Sequence, residues 1–287
     1  MTSRRCRFLR HFSLCCWMLL GGLPAGSGLQ VHDPADARGA VERMRRLHQQ
    51  VQRLHFRVEN EFNTAQRVEL TRQLIALRSA YESARRQAEF LTDPFVRRSR
   101  QIVEELLREA FPELSGKRFV IHPITSENTY FSSFFSFKEP LLRRNRIYRL
   151  GINLQVFRQE TLPPWEGVRG ILCHELAHSL DYRRRNFFQI WGVLAIFLKP
   201  TAHRRFERWA DLQAISRGCG PGLKAYRRWV YQQVTTQEEE RRRMVYYPPE
   251  QIESIEDIRG RCPSAMPQWL IQPPLNPEEI QASECGP

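Results

Sequence analysis

Two histidines and a glutamate occur in the order His-Glu-x-x-His at residues 174–178, within an apolar stretch of helical character. Because His174 and His178 are four residues apart, they project from one face of a helix at a separation that one metal ion can bridge. Two neutral imidazoles and one further protein ligand suit zinc and leave a coordination position open. Glu175 then lies beside the metal, where its carboxylate can accept a proton from water and pass it to a leaving amine. The motif therefore predicts metal-assisted hydrolysis.

The third metal ligand has two candidates, His203 and Glu207, which lie one helical turn apart in a segment with a helical pattern. We favour Glu207, because a glutamate completes a His-His-Glu zinc site, and we assign His203 to the helix start or to the substrate side. Asp211, one turn after Glu207, is placed to hold a ligating imidazole through its second nitrogen. An ordinary salt bridge to a neighbouring arginine is the alternative for both carboxylates.

The longer motif that supplies a third histidine soon after the second is absent, because Asp181 and Arg184 stand at its glycine and histidine positions. We expect Asp181 and Tyr182 to form hydrogen bonds at the end of the helix rather than to take part in catalysis. Peptide hydrolysis also needs a donor to the developing oxyanion. The candidates, among which the sequence does not choose, are Tyr226, Tyr231, Tyr246 and Tyr247.

These two motifs resemble those of gluzincin-type zinc metallopeptidases. The first motif, followed by Glu207-x-x-Ala210-Asp211, is similar to the H-E-x-x-H plus E-x-x-A-D pair of the HtpX/CaaX-prenyl-protease-like group, whose exported bacterial members include BepA-type proteases. The run through Asp181 is similar to the H-E-x-x-H-x-L-D run of MtfA-type and lethal-factor-like gluzincins. The resemblance covers residues 165–220, a fifth of the chain.

The resemblance implies a zincin-like fold and a zinc peptidase activity. One zinc ion would be bound by His174, His178 and Glu207. Glu175 would be the general base, and Asp211 would hold a ligating histidine from behind.

The elements that must position these residues lie within 116–235. Short runs rich in aromatic and β-branched residues, at 119–121, 130–137 and 147–157, predict a small sheet, and helical patterns follow from Trp165. We therefore predict an α+β, zincin-like domain with a small sheet, an active-site helix and a Glu207-bearing helix. Residues 148–154 suit either an edge strand that pairs with an extended substrate or an interior strand.

A helical arm is predicted over residues 33–112, before this domain. Asp33-Pro34 and Asp93-Pro94 each combine an N-cap residue with a proline at the first helical position. Two apolar stripes of different phase predict an antiparallel hairpin that turns near Asn63, with one long, stuttering helix as the alternative. The Arg- and Gln-rich outer face is either solvated or binds a protein partner. Residues 236–287, rich in proline, predict an irregular tail.

Residues 1–27 are typical of an export signal. Four arginines precede an apolar run at residues 12–23, which is shorter than the roughly 20 residues that span a bilayer. Small residues at Ala25 and Ser27 favour cleavage after Ser27, with retention as an anchor as the alternative. We therefore predict a periplasmic or secreted protein, with or without membrane association.

Export places the remaining cysteines in oxidising surroundings, where they can pair. They are Cys173, Cys219, Cys262 and Cys285. We favour a bridge between Cys262 and Cys285, although sequence alone does not decide the pairing. For Cys173, a role as a small hydrophobic residue buried in the helix is as well supported as a role in a disulfide bond.

The net charge is +13, from 44 Lys and Arg against 31 Asp and Glu, and it stays at +9 without the four arginines of residues 1–27. Such a charge suits an anionic envelope surface or nucleic acid. No zinc finger, RNP motif or Gly-rich phosphate loop supports the latter, so we predict no nucleic-acid partner. Phe187–Leu198, an apolar run with flanking arginines, predicts either a buried helix or a helix that contacts an anionic membrane.

The predicted function is a zinc-dependent metalloendopeptidase that hydrolyses proteins or peptides in the cell envelope. One alternative is a non-catalytic envelope scaffold with a structural or vestigial metal site. Glu175 argues against it, because a purely structural site has no use for a general base. Another alternative is a metal-dependent amidase that acts on cell-wall peptides.

Overall fold

The computed structural model describes residues 35–126, 129–135, 146–159, 161–185 and 187–282. The predicted export signal, the Asp33-Pro34 cap and Cys285 lie outside the described residues. The described chain is mostly helical and carries one small mixed sheet, so the α+β class is confirmed in its broad form. No helix in the described ranges is long and apolar enough to cross a bilayer.

The first two helices form the hairpin expected from the two apolar stripes. Helix α1 (Ala35–Glu59) and helix α2 (Thr64–Thr92) pack against each other along their apolar faces. The Asn63 side chain caps α2 by accepting a hydrogen bond from the Gln66 amide at 3.1 Å. The rings of His48 and Tyr81 lie 5.3 Å apart, which is the contact an antiparallel pair makes.

Helix α3 (Pro94–Glu109) begins at the second predicted cap. The Asp93 carboxylate accepts a hydrogen bond from the Phe95 amide at 2.8 Å. The apolar face of α3, which includes Ile102, Val103 and Leu106, is buried in the core. This helix therefore anchors the hairpin to the rest of the protein.

The sheet contains β1 (Arg118–Pro123), β2 (Phe131–Phe135) and β3 (Ile147–Ile152). Strand β3 lies in the centre, parallel to β1 and antiparallel to β2. The edge-strand interpretation of residues 148–154 is therefore wrong, and the interior-strand alternative is right. A short helix, α4 (Leu154–Gln159), follows, so the strand predicted to reach residue 157 ends at Ile152.

The Asn153 side chain explains this early end. It donates hydrogen bonds to the Ser126 carbonyl at 2.5 Å and to the Thr129 carbonyl at 2.9 Å. The Asn153 Oδ1 atom also accepts a hydrogen bond from the Val156 amide at 3.4 Å, so the same side chain contacts the start of α4.

Four consecutive helices follow, and two of them, the first and the third, carry the predicted metal ligands. The four helices are α5 (Trp165–Arg184), α6 (Phe187–Leu198), α7 (Pro200–Ser216) and α8 (Gly220–Gln233). Helix α5 is buried along most of its length because β2, α3, α7 and α8 surround it. A Cβ atom at Gly170 would lie 2.1 Å from the Leu223 backbone nitrogen, so only glycine permits α8 to cross α5 this closely.

A disulfide bond joins Cys173 of α5 to Cys219, which follows α7. The sequence left this pairing open. Because Cys173 precedes His174 and Cys219 follows the Glu207-bearing helix, the bond ties together the two helices that carry the predicted ligands. The predicted partner of Cys262, Cys285, lies outside the described residues.

The irregular tail predicted for residues 236–287 is wrong over the part that the structure describes. Four helices follow α8, namely α9 (Thr236–Val245), α10 (Pro249–Arg261), α11 (Ala265–Ile271) and α12 (Pro277–Gln281). Pro249 and Pro277 occupy first-turn positions, where the missing amide hydrogen costs nothing. Ile252 and Ile255 of α10 are fully buried. Here proline begins helices instead of breaking them.

Candidate metal centre

Helix α5 presents His174 and His178 on one face, as their spacing predicts. Their Nε2 atoms lie 3.1 Å apart, and the ring centroids lie 4.7 Å apart. Both residues are buried, because this face of α5 points toward α7 and not toward solvent. Two imidazole nitrogens therefore meet in the protein interior.

Helix α7 brings the Glu207 carboxylate to the same point. Its Oε2 atom lies 3.2 Å from the Nε2 atom of His174 and 3.2 Å from that of His178. The three atoms thus form a nearly equilateral triangle. These residues form a buried group that could hold a metal ion, as the sequence predicted.

His203 is not a member of this triangle, which agrees with the preference for Glu207. Its Nε2 atom lies 3.3 Å from Oε1 of Glu207, the oxygen that points away from the two histidines. The Glu207 carboxylate is therefore held on both oxygens. His203 orients it from the outer side.

Asp211 fixes the protonation pattern of His174. Its Oδ1 atom lies 2.7 Å from Nδ1 of His174, so Nδ1 carries a proton and donates it to the carboxylate. When His174 is neutral, the lone pair on its Nε2 atom faces His178 and Glu207. Burial lowers the pKa of His174, but the Asp211 and Glu207 carboxylates outweigh it and raise this pKa to about 10. The surroundings therefore strongly favour positive charge at the centre of the triangle.

Arg227 of α8 extends this network, and sequence reasoning missed it. It donates to Oδ1 of Asp211 at 3.0 Å, while the Tyr247 amide donates to Oδ2 at 3.0 Å. Burial raises the pKa of Asp211, but Arg227 and His174 outweigh it, so the net pKa is lowered. A sequence signal existed, because Arg227 falls on the same helical face as the buried residues Leu223 and Val230.

Glu175 follows the first histidine and is also buried. Burial raises its pKa, and the two neighbouring histidines only partly offset this effect. A carboxyl group whose pKa moves toward neutrality is suited to taking up and releasing a proton. Its predicted role as general base remains a prediction.

Aromatic rings lie against the two histidine ligands. The Phe206 ring stacks on His178 at 4.6 Å, and the Tyr246 ring lies 6.0 Å from His174. Among the four candidate tyrosines, Tyr247 is engaged elsewhere, because its hydroxyl donates to the Pro274 carbonyl at 2.8 Å. Of the four, Tyr246 is the one whose ring contacts a ligand among the described residues.

Asp181 has the helix-end role that the sequence predicted, whereas Tyr182 is buried and bonds to the sheet. The Asp181 carboxylate accepts a hydrogen bond from Nε of Arg185 at 2.5 Å. The Tyr182 hydroxyl donates to the Ser133 carbonyl of β2 at 3.4 Å. Both contacts hold the end of α5 in place.

Fold and site together define an α+β protein with a buried His-His-Glu group that could hold a metal ion. Comparisons with protein-family models, with curated proteins and with solved structures find no match to this chain. Function is therefore inferred from the geometry of the site.

Proposed function

We propose that the chain is a zinc-dependent metallopeptidase of the gluzincin type with a zincin-like catalytic domain. The observation that carries this proposal is the triangle formed by Nε2 of His174, Nε2 of His178 and Oε2 of Glu207, with Glu175 next to it on the same helix.

The donor set and spacing support zinc. Tetrahedral zinc binds histidine and carboxylate at about 2.0–2.2 Å, which separates neighbouring ligand atoms by roughly 3.3–3.5 Å. The observed separations of 3.1 and 3.2 Å lie within a few tenths of an ångström of that range. Two imidazoles and one carboxylate are also the ligand set of zinc sites that keep one position for water.

Each residue of the site has a chemical task in this proposal. Zinc at such a site supplies a Lewis acid and makes water more acidic. The Glu175 carboxylate accepts the proton of the attacking water and delivers it to the leaving amine. Asp211 holds His174 in the tautomer that directs its Nε2 lone pair at the centre. The Tyr246 hydroxyl donates to the oxyanion that develops on the substrate carbonyl.

Strand β2 supports an extended peptide as substrate. It is an edge strand among those that the structure describes, and it packs on α5 beside the ligands. The hydroxyl oxygens of Ser133 on β2 and Ser179 on α5 lie 3.0 Å apart. A peptide that adds to the outer edge of β2 would therefore run past the metal centre, as an endopeptidase requires.

We place the protein outside the cytoplasm, in the periplasm or secreted. The bond between Cys173 and Cys219 supports this placement, because structural disulfides persist mainly in oxidising compartments.

The test compares the wild type with Glu175→Gln and with Glu166→Gln, an exposed glutamate in the first turn of the same helix. Zinc content is measured by elemental analysis, and hydrolysis is measured on unfolded proteins and on a quenched peptide library. We expect all three proteins to bind one zinc ion. We expect Glu175→Gln to lose at least about 100-fold in rate, because a positioned proton-transfer group contributes about 10²–10⁴-fold.

A wild type that binds zinc but hydrolyses none of these substrates would contradict the peptidase and favour the scaffold. Hydrolysis of cell-wall peptides alone would favour the amidase. Equal activity of wild type and Glu175→Gln would remove the general-base role.

A further inference from the structure

The segment that joins the two ligand-bearing helices has an unusual charge pattern. Between Asp181 and Glu207 the sequence contains no acidic residue. Six basic residues occur there instead, namely Arg183, Arg184, Arg185, Lys199, Arg204 and Arg205. They flank α6, in which ten of the twelve residues are apolar. An apolar helix between basic clusters combines the two attractions that hold a helix on an anionic bilayer surface.

One face of α6 is fixed to the rest of the protein. Val193 is buried, and the Phe197 ring lies 5.0 Å from the His203 ring and 6.1 Å from the Phe206 ring of α7. Ile196 is half-buried beside them. The C-terminal half of α6 therefore has a defined position next to the metal centre.

Exposure rises toward the N-terminal half of α6, where Gln189 and Gly192 are both exposed. Gln189 precedes Val193 by one helical turn and shares its face, yet Gln189 is exposed whereas Val193 is buried. Leu198, at the other end of the helix, is 51% exposed. Arg183, Arg184, Lys199 and Arg205 are exposed at the two ends. Exposed apolar and positively charged groups thus occur together at the ends of α6.

We propose that α6 and its flanking basic residues form a docking surface for an anionic lipid bilayer. The twelve-residue helix is too short to span the hydrocarbon core, so it lies in the interface, with the arginines and Lys199 against lipid phosphates. Because α6 connects α5 to α7, docking brings the metal centre to the membrane surface. The substrate class that follows from docking rests on the proposed peptidase function. It consists of protein segments at or near a bilayer.

The experiment measures cosedimentation of the full chain, in its zinc-loaded form, with vesicles. One set contains phosphatidylglycerol and phosphatidylcholine, and the other contains phosphatidylcholine alone. We expect binding to the anionic vesicles that weakens as salt is raised. In Arg183→Glu/Arg184→Glu, partition should fall at least about tenfold, since each basic residue at the surface contributes about 1 kcal/mol.

Two matched controls test whether vesicle binding depends on this surface or only on total charge and exposed apolar side chains. Arg45→Glu/Arg46→Glu makes the same change at two adjacent exposed positions of α1 and should bind like the wild type. Leu198→Glu should weaken binding severalfold, whereas Ile75→Glu, at a 65% exposed position of α2, should not. Far-UV circular dichroism and zinc content verify that each variant is folded.

Equal binding of wild type, Arg183→Glu/Arg184→Glu and Leu198→Glu to anionic vesicles would overturn the proposal. So would lipid-independent self-association of the wild type that Leu198→Glu abolishes, because a second copy would then cover α6. The assay does not use hydrolysis. Vesicle binding by a protein without peptidase activity would retain the docking surface and refute only the proposed function.

Discussion

The hairpin α1–α2 and the metal centre contain the same types of charged residue, but these residues differ in exposure to solvent between the two regions. On the hairpin, Arg46 and Glu42 lie 3.9 Å apart with side chains that are 68% and 66% exposed. At the metal centre, Arg227 and Asp211 lie 3.0 Å apart with side chains that are 3% and 0% exposed. Water solvates the charges of the first pair whether or not the ion pair forms. The charges of the second pair are shielded from water, so each depends on its partner and on a few neighbouring groups.

This difference shows where a charged residue carries information about function. An exposed pair contributes little and is easily replaced, so the arginines of the hairpin say little about the task of the protein. A buried carboxylate that is shared between an arginine and a histidine is costly to maintain. In this protein the network fixes the orientation of the His174 ring.

The two regions should differ most in how much stability the protein loses when a carboxylate is removed. Asp211→Ala leaves Arg227 buried without its ionic partner and should lower the free energy of unfolding by about 3–5 kcal/mol. Glu42→Ala on the hairpin should change it by less than about 0.5 kcal/mol. Urea denaturation of zinc-free protein measures both. Similar values for the two variants would mean that burial does not distinguish the regions.

Two glycine substitutions compare the free energy of unfolding in the packed and the exposed region. Gly170→Ala pushes a Cβ atom against the α8 backbone and should cost about 2–3 kcal/mol of stability. Gly39→Ala, in α1, meets nothing within 4 Å and should stabilise the protein by up to about 1 kcal/mol, because alanine favours the helix. Thermal and urea denaturation give the signs. A stabilising Gly170→Ala would show that α5 and α8 can separate at little cost.

A further expected effect depends on pH. His122 of β1 lies against the Phe134 ring, and its ring nitrogens are buried without a partner among the described residues. Burial lowers the pKa of His122 from 6.5 to about 3. The unfolded chain therefore binds this proton between about pH 6.5 and pH 3 while the folded chain does not, so stability falls as pH falls through that window.

By pH 5 this histidine should account for about 2 kcal/mol of lost stability. The variant His122→Leu should lack that part of the slope in urea denaturation between pH 7 and pH 5. Parallel pH profiles for wild type and variant would mean that a proton is accommodated in the folded sheet.

Local patterns were enough to predict the hairpin, the cap at Asp93 and the three residues of the metal group. Each of these depends on spacing along a single helix, or on a short motif whose chemistry is specific. The tail was predicted wrongly, and the place of residues 148–154 in the sheet was left open, for a related reason. Proline is compatible with both a loop and a helix start, and an alternating run is compatible with both an edge and a centre, so neighbours had to decide.

Residue types and motif spacing identify the side chains that can bind a metal, since His174, His178 and Glu207 are chemically suited to it in any fold. Their meeting depends on how α5 and α7 pack, because His174 and Glu207 are 33 positions apart in the sequence. The tertiary structure also supplied the bond from Cys173 to Cys219 and placed Arg227 behind Asp211. Burial gives these groups their strength, and burial is a property of the assembled fold rather than of any segment.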